Sequence, residues 1–275
     1  MSRRHEQITH RSKLGEIRNI MNSMKTLAIM ETHKLERSIK NQSTIINTIQ
    51  NMAADFLHFN PQVLPEAEPI LNTVLIIGSE RGFCGNFNEL LVKQLKLLLV
   101  DLTQVDTTLI AVGSKLKPLM KNVFHNMHFI KGANINEDIF SVADELAKKL
   151  GAFNEPTSLL ILHHNDQHNE LVLEKLLPPF KKNHAEKVVY PNPPLLNITA
   201  RDFFLELTDH YLMNSLHHIL TISLMVENQL RIQHLENATH HLDDKTDELQ
   251  RKINALRQEE IIEEIEVILL NASNN

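Results

Sequence analysis

Residues 16–60, EIRNIMNSMKTLAIMETHKLERSIKNQSTIINTIQNMAADFLHFN, contain neither glycine nor proline. Along and just before them, apolar residues recur at alternating steps of three and four: Leu14, Ile17, Met21, Met24, Ala28, then polar Glu31, then Leu35. That spacing lays a narrow apolar stripe along a helix, the pattern of a coiled-coil seam. The other end of the chain repeats it through Leu235, Ala238, Leu242, Thr246, Leu249, Ile253 and Leu256, in a stretch free of both breakers after Pro194. At about 1.5 Å per residue, helices over 16–60 and 203–270 would reach roughly 65 and 100 Å. Stripes of that length are stable only when covered, and each terminal helix is the nearest cover for the other. Residues 1–40 carry nine Lys or Arg against four Glu, while residues 236–266 carry ten Asp or Glu against four Lys or Arg. Opposite charge therefore favours the pairing, although each exposed pair contributes little. The expectation is an antiparallel coiled coil of residues 1–60 with 202–275, against the alternative of ordinary surface helices on one globule.

Every proline, and every glycine except Gly15, lies between residues 61 and 194, so the chain between the helices is built differently. Thr73–Gly78 is a short apolar run ending on glycine, as a buried strand does before a loop. Helix is expected over Glu89–Leu99, strand over Thr107–Val112, helix over Lys115–Asn122 and Ile135–Leu150, and strand over Ser158–His163. Alternating β and α elements predict a mostly parallel sheet covered by helices, a central Rossmann-like α/β domain over 70–194. Pro191-Asn192-Pro193-Pro194 then leads into the last helix. The fold class is thus mixed α+β and α/β.

The bulk properties narrow the function classes. At 275 residues and 42% hydrophobic composition the chain can bury a core. A net charge of −6 is the wrong sign for a general nucleic-acid partner. The single cysteine, Cys84, excludes an internal disulfide and fits a reducing compartment. No run approaches the roughly 18 apolar residues of a membrane span, and the basic N-terminus contains Glu6 and Glu16, unlike a transit peptide. Direct membrane insertion is not expected.

Gly78-Ser79-Glu80-Arg81-Gly82-Phe83-Cys84-Gly85-Asn86 follows a strand and precedes a helix, where α/β proteins often bind phosphates. Its glycine spacing matches neither dinucleotide nor P-loop signature, and it lacks the Lys-Ser or Lys-Thr pair of the latter. Cys84 reads as a buried structural thiol rather than a nucleophile. His163-His164-Asn165-Asp166-Gln167-His168 reads as loop histidines at a strand end without a zinc spacing. His217-His218 and His240-His241 read as surface or flank residues of a helix, since neighbours on a helix point about 100° apart. Glu259, Glu260, Glu263, Glu264 and Glu266 read as a solvated helix face. No catalytic site, cofactor or metal is expected.

Three separated blocks resemble the gamma-subunit family of rotary ATP synthases. Arg11-Ser12-Lys13-Leu14 through Lys34 is similar to that family's N-terminal helix, with Asn19, Lys25 and Lys34 on matching positions. Ser79-Glu80-Arg81-Gly82-Phe83-Cys84-Gly85-Asn86-Phe87-Asn88 is similar to its central loop. Glu227, Arg231, Ala238-Thr239, Asn254, Arg257-Gln258 and Ile261 to Ile268 resemble its C-terminal signature. Asn86 stands where a second glycine is usual, Asn22 where a lysine is usual and Leu27 where methionine is common; Asn86 tolerates left-handed backbone, so the turn is expected to survive.

The resemblance implies a rotor shaft inside a ring of alternating alpha and beta subunits, gripped at its foot by the epsilon subunit and a membrane c-ring. It implies a peripheral location on the cytoplasmic face of a bacterial inner membrane. Rotation of the asymmetric shaft would couple ion flow to ATP synthesis or hydrolysis. It further implies partner contacts at Lys25, Leu27, Met30, Arg231, Arg257 and Gln258, the Arg257–Gln258 pair meeting a catch loop of beta and Leu27 with its neighbours meeting beta's lower lobes. Arg81, Gly82, Cys84 and Gly85 would form a structural loop. The competing readings are a non-rotary coiled-coil scaffold with a degenerate nucleotide-binding-like domain, and a nucleotide-using enzyme built on the central loop.

Overall fold

The computed structural model describes residues 3–64, 71–101, 107–121, 127–151, 157–165, 170–180 and 192–273. Asn122, Asp166, Gln167, His168 and Pro191, named above, lie outside them. Ten elements follow in chain order: α1 (Arg3–Phe59), β1 (Leu71–Ile77), α2 (Phe87–Asp101), β2 (Thr107–Val112), α3 (Leu116–Met120), β3 (Met127–Ile130), α4 (Ile139–Gly151), β4 (Thr157–His164), β5 (Leu171–Leu177) and α5 (Ala200–Ser273). The breaker-free stretches are continuous helix, and they begin and end further out than the apolar stripes. The chain divides into two compact units, Met1–Ala28 with Arg231–Asn275, and Ile29–Leu230.

In the first unit α1 and α5 run antiparallel. Lys25 pairs with Glu236 (3.7 Å), Arg18 with Asp243, and Arg4 with Glu260 (2.9 Å), so one helix descends in number as the other climbs. Arg4, Arg11, Arg18 and Lys25 fall every seventh residue. The seam therefore carries a basic rail beside a thin apolar stripe, with Leu14, Met21 and Ala28 on α1 and Leu235, Leu249 and Ile253 on α5 buried or half-buried. Ile17, expected in the seam, is 46% exposed. The other expected positions, Leu14, Met21, Met24 and Ala28, are buried or half-buried, while Arg18, beside Ile17, is exposed and reaches Asp243 along the flank of the seam. The α5 stripe, by contrast, is inward at every expected position from Leu235 to Leu256.

A seam this rich in ion pairs has a measurable signature. Exposed pairs contribute about 0–1 kcal/mol each, and raising salt to about 1 M shrinks the screening length to about 3 Å. Amide exchange over residues 3–28 is expected to accelerate severalfold in high salt, while the apolar Ala53–Leu57 region of α1 changes little. Equal response of both regions would remove the ladder's role.

In the second unit the sheet order is β3-β2-β1-β4-β5, parallel except for the antiparallel β4–β5 pair. Side chains alternate across it. Leu75, Ile77, Ile110, Val112, Leu159 and Ile161 join α4 and the α1 and α5 segments of this unit in one core, with Phe56, Leu57, Ile219 and Leu220 fully or almost fully buried. Val74, Ile76, Leu109, Ala111 and Leu162 meet α2 and α3 through Phe87, Leu91, Leu95, Leu116 and Met120 in the other. Both faces are covered, which is why these strands read as unbroken apolar runs. Thr32 rather than Glu31 is buried on α1. Glu31 instead accepts from the Asn136 backbone N–H (3.3 Å) and from Lys34 (3.0 Å), and Lys34 also reaches Glu137 (3.2 Å).

The edge strands β3 and β5 were not expected from the sequence. Met127–Ile130 has only four residues, and Leu171–Leu177 carries Glu174 and Lys175 on an exposed stretch. Pairing with β2 and β4, not local pattern, makes them strands. The helix expected over Ile135–Leu150 begins as a 3-10 turn, Asn136–Asp138, before α4.

Candidate partner-contact site

The loop after β1 is filled by its own side chains. Asn88 Oδ1 accepts from the Ser79 backbone N–H (3.0 Å), and Asn88 Nδ2 donates to Ser79 Oγ (2.8 Å). Cys84 is buried, with its thiol 3.4 Å from the same Ser79 Oγ. A Cβ on Gly78 would lie 2.3 Å from Leu116 Cγ. The Ser79 N–H and hydroxyl that open the loop are thus engaged within the chain. The left-handed positions are Phe83 (φ 63°) and Gly85 (φ 61°), so the turn needs its glycine at 85 and asks nothing unusual of Asn86.

Glu80 ties the loop to two neighbouring strand ends. Its carboxylate accepts from Ser114 Oγ (2.7 Å), the Ser114 N–H (2.9 Å) and the Gly132 N–H (2.8 Å), and beside it Arg81 Nε donates to Asn134 Oδ1 (2.9 Å). Burial by itself raises the Glu80 pKa; the bonds from Ser114 and Gly132, aided by Lys131, overcome it and leave a net lowering. A carboxylate lowered on folding adds stability above its unfolded pKa, and this is lost as pH falls through the folded value. Glu80→Gln is therefore expected to lower the melting temperature at neutral pH and to flatten its fall below about pH 4.5. Parallel melting curves for the two proteins across that range would refute the brace.

The other expected site residues lie on α1 and α5. Leu27 and Met30 are 59% and 56% exposed, and Ile20, one heptad before Leu27, is 61% exposed. Arg257 and Gln258 are exposed on α5. Lys25 is half-buried and already paired with Glu236. Arg231 departs from the exposed setting expected of a contact residue: it is 4% exposed in this chain.

The sequence reading missed the apolar character of the end of α5. Ile261, Ile262, Ile265, Val267, Ile268, Leu269 and Leu270 are all exposed, interleaved with the acidic residues that suggested a solvated face. Because Glu260 already pairs with Arg4, next to the first described residue of α1, no described residue of α1 lies opposite 261–273. Seven large apolar side chains are thus exposed together with the acidic residues expected to face solvent. The signal stands in the sequence as IIEEIEVILL, where the acidic residues prompted the reading of a solvated face.

His240 and His241 are exposed on α5 as expected, whereas the other two pairs sit deeper. His163 and His164 belong to β4 and are buried, His164 stacking on Phe87 (4.0 Å between ring centres) and donating from Nε2 to the Phe87 carbonyl (3.0 Å). His217 and His218 meet Gln42 across the helix pair, at 2.6 and 3.4 Å, and burial lowers both their pKa values. Among the described residues no three His, Cys, Asp or Glu side chains are placed to hold a metal, and no helix is long and apolar enough to cross a membrane.

A paired-helix unit with outward apolar faces, joined in one chain to a five-stranded α/β unit whose loop is closed on itself, is the arrangement to compare with known proteins. The family profile described as ATP synthase matches residues 6–273. The chain belongs to the ATP synthase family. Relatives in that family include the ATP synthase gamma chain of Rickettsia felis, 23% identical over 265 residues, covering 90% of this chain and 91% of the relative. The gamma chain of Pelotomaculum thermopropionicum is 25% identical over 230 residues, covering 77% and 76%. In fold the chain is similar to a chain of the Euglena gracilis mitochondrial ATP synthase (OSCP/F1/c-ring, rotational state 3), with TM-score 0.64, 15% identity and coverage of 98% and 93%. A chain of the Tetrahymena thermophila central stalk and c-ring superposes with TM-score 0.55 at 16% identity, covering 80% and 99%. The antiparallel terminal helices and central mixed sheet are the fold of that central stalk.

Proposed function

We propose that this chain is the gamma subunit, the central rotor shaft, of an F-type ATP synthase, and that it turns inside a hexamer of alpha and beta subunits without an active site of its own. The observation that carries the reading is the uncovered apolar end of α5, together with Ile20, Leu27 and Met30 on α1. Such surfaces are stable in water only inside a collar. Leu27 and Met30 would bear on beta, and Arg257 with Gln258 would meet a beta loop, where a guanidinium can bind a carboxylate with two parallel bonds. Lys25 contributes through its pair with Glu236, which sets the helix register, more than as a free charge.

Asymmetry of the shaft gives each catalytic site a different face, and rotation exchanges the faces; this converts ion flow into changes of nucleotide affinity. The epsilon subunit and a c-ring would hold the α/β end, and the chain would sit peripherally at the cytoplasmic face of a bacterial inner membrane. Family membership, the long helix pair and a loop occupied by Asn88 and Ser79 all support a mechanical rather than catalytic part.

Co-expression with alpha and beta subunits tests this. The expected result is a stable complex that hydrolyses ATP and contains one copy of this chain per hexamer. Failure to join a hexamer under conditions where alpha and beta assemble would end the rotor reading. Arg257→Ala is expected to reduce coupled ATP synthesis in vesicles severalfold while the complex still assembles.

A further inference from the structure

Beyond Arg257 the apolar residues of α5 change sides. At about 100° per residue, Ile261, Ile262, Ile265, Ile268 and Leu269 fall within an arc of about 120°, and all five are exposed. The seam residues Leu249, Ile253 and Leu256, buried or half-buried, point about 150° away from the middle of that arc. Extending the contact with α1 along the seam would therefore leave the stripe open. It is a second face of the helix, not a continuation of the coiled coil.

Carboxylates border this face on both sides. Glu264 lies about 40° beyond one margin and Glu266 about 40° beyond the other, with Glu259 about 20° further round, while Glu263 falls on the far side of the helix. No Lys or Arg follows Arg257. Glu259, Glu264 and Glu266 pair with no described cation, in contrast to Glu260, which Arg4 holds. A surface that takes the stripe out of water also closes over its borders, and a carboxylate losing water needs donors in return. This stretch of chain supplies none. A second copy would cover the isoleucines but lay its own bordering carboxylates against these, adding repulsion where donors are needed.

We propose that this face docks into an apolar groove of the surrounding subunits whose two rims carry Lys or Arg. The inference rests on the rotor reading and adds to it the chemistry of the receiving surface: an uncharged sleeve would take the isoleucines and leave three carboxylates unanswered. In a ring of repeated subunits such a groove recurs around the axis, so the turning helix meets the same basic rims at each station.

The test measures the affinity of the full chain for the hexamer of alpha and beta subunits in about 0.1 M and about 1 M salt. The unmodified chain is compared with the triple variant Glu259→Gln, Glu264→Gln, Glu266→Gln and with Glu263→Gln. Glutamine keeps the size and helix propensity of glutamate. In low salt the triple variant is expected to bind about tenfold more weakly, about twofold for each lost pair, and the gap should close in high salt. Glu263→Gln, on the far side, should stay within about twofold of the unmodified chain. Equal or tighter binding by the triple variant, or an equal loss in Glu263→Gln, would overturn the basic rims while leaving the rotor reading intact. Failure of the unmodified chain to join the hexamer would end both. Stronger self-association of the triple variant with unchanged affinity for the hexamer would assign the stripe to a second copy and overturn the proposal as well. Should the triple variant not fold, Glu264→Gln and Glu266→Gln taken singly decide, each expected to weaken binding about twofold in low salt only.

Discussion

Gly113→Ala is expected to lower the stability of the second unit by about 4 kcal/mol, combining about 1–3 kcal/mol of backbone strain with a similar overpacking cost. Gly113 sits at φ 103°, and an added Cβ would lie 2.6 Å from the Gly78 carbonyl oxygen and 2.7 Å from that of Ser79. Both obstacles are main chain, so no side-chain rotation relieves them. Moreover the Gly113 N–H donates to Ile130 O and the Gly78 N–H to Val112 O, which pins the three strand ends whose loops Glu80 bridges. At about 2–4 °C per kcal/mol for a unit of this size, the melting temperature should drop by about 10 °C. Gly15→Ala is the contrast: nothing lies within 4 Å of its Cβ position, and replacing glycine within a helix should stabilise by about 0.5–1 kcal/mol. Comparable losses in the two variants would show that the close approach at residue 113 is not what holds the strand ends.

Ile265→Asp combined with Ile268→Asp is expected to leave the fold of the free chain intact and to damage the assembled machine. Both side chains are already exposed, at 50% and 65%, so the free chain loses little by their exchange. Inside a collar each would have removed an isoleucine from water, worth about 1.5–3 kcal/mol when complete, and each Asp would have to enter unpaired. Ion-driven ATP synthesis in vesicles should fall by about fivefold or more, matching the lower end of coupling energies near 1 kcal/mol. Removal of residues from Asn254 onward should weaken coupling in the same direction. Full synthesis with the double variant would mean that the end of α5 bears on nothing.

The free chain should behave accordingly. With Ile20, Leu27, Met30 and the 261–270 segment uncovered, it is expected to self-associate, and partner subunits should raise its melting temperature with the logarithm of their concentration. Light scattering against concentration is the direct measurement.

How much of this could be read from residues alone depends on the element. The two terminal helices were legible because absence of glycine and proline and a 3-4 apolar repeat act within a few residues of each position. Leu235 through Leu256 face inward as that repeat requires. On α1 the same rule held at Leu14, Met21, Met24, Ala28 and Leu35 and failed at Ile17, which is exposed beside Arg18, whose ion pair with Asp243 lies at the flank of the seam. The charge asymmetry of the two ends was visible; that it resolves into a rail repeating every seventh residue was visible too, but only a partner helix gives it meaning.

The buried strands β1, β2 and β4 announced themselves as apolar runs because both faces of the sheet are covered. Here the amino-acid sequence determined the helix pair and the alternating middle, both consequences of local sterics and of where apolar atoms fall along the chain. Only the tertiary structure decided that Met127–Ile130 and Leu171–Leu177 are strands, that Arg231 is buried, and that His163 lies against Glu174. Those outcomes depend on which distant segment supplies the missing hydrogen bond or excludes the water, and no local pattern carries that information.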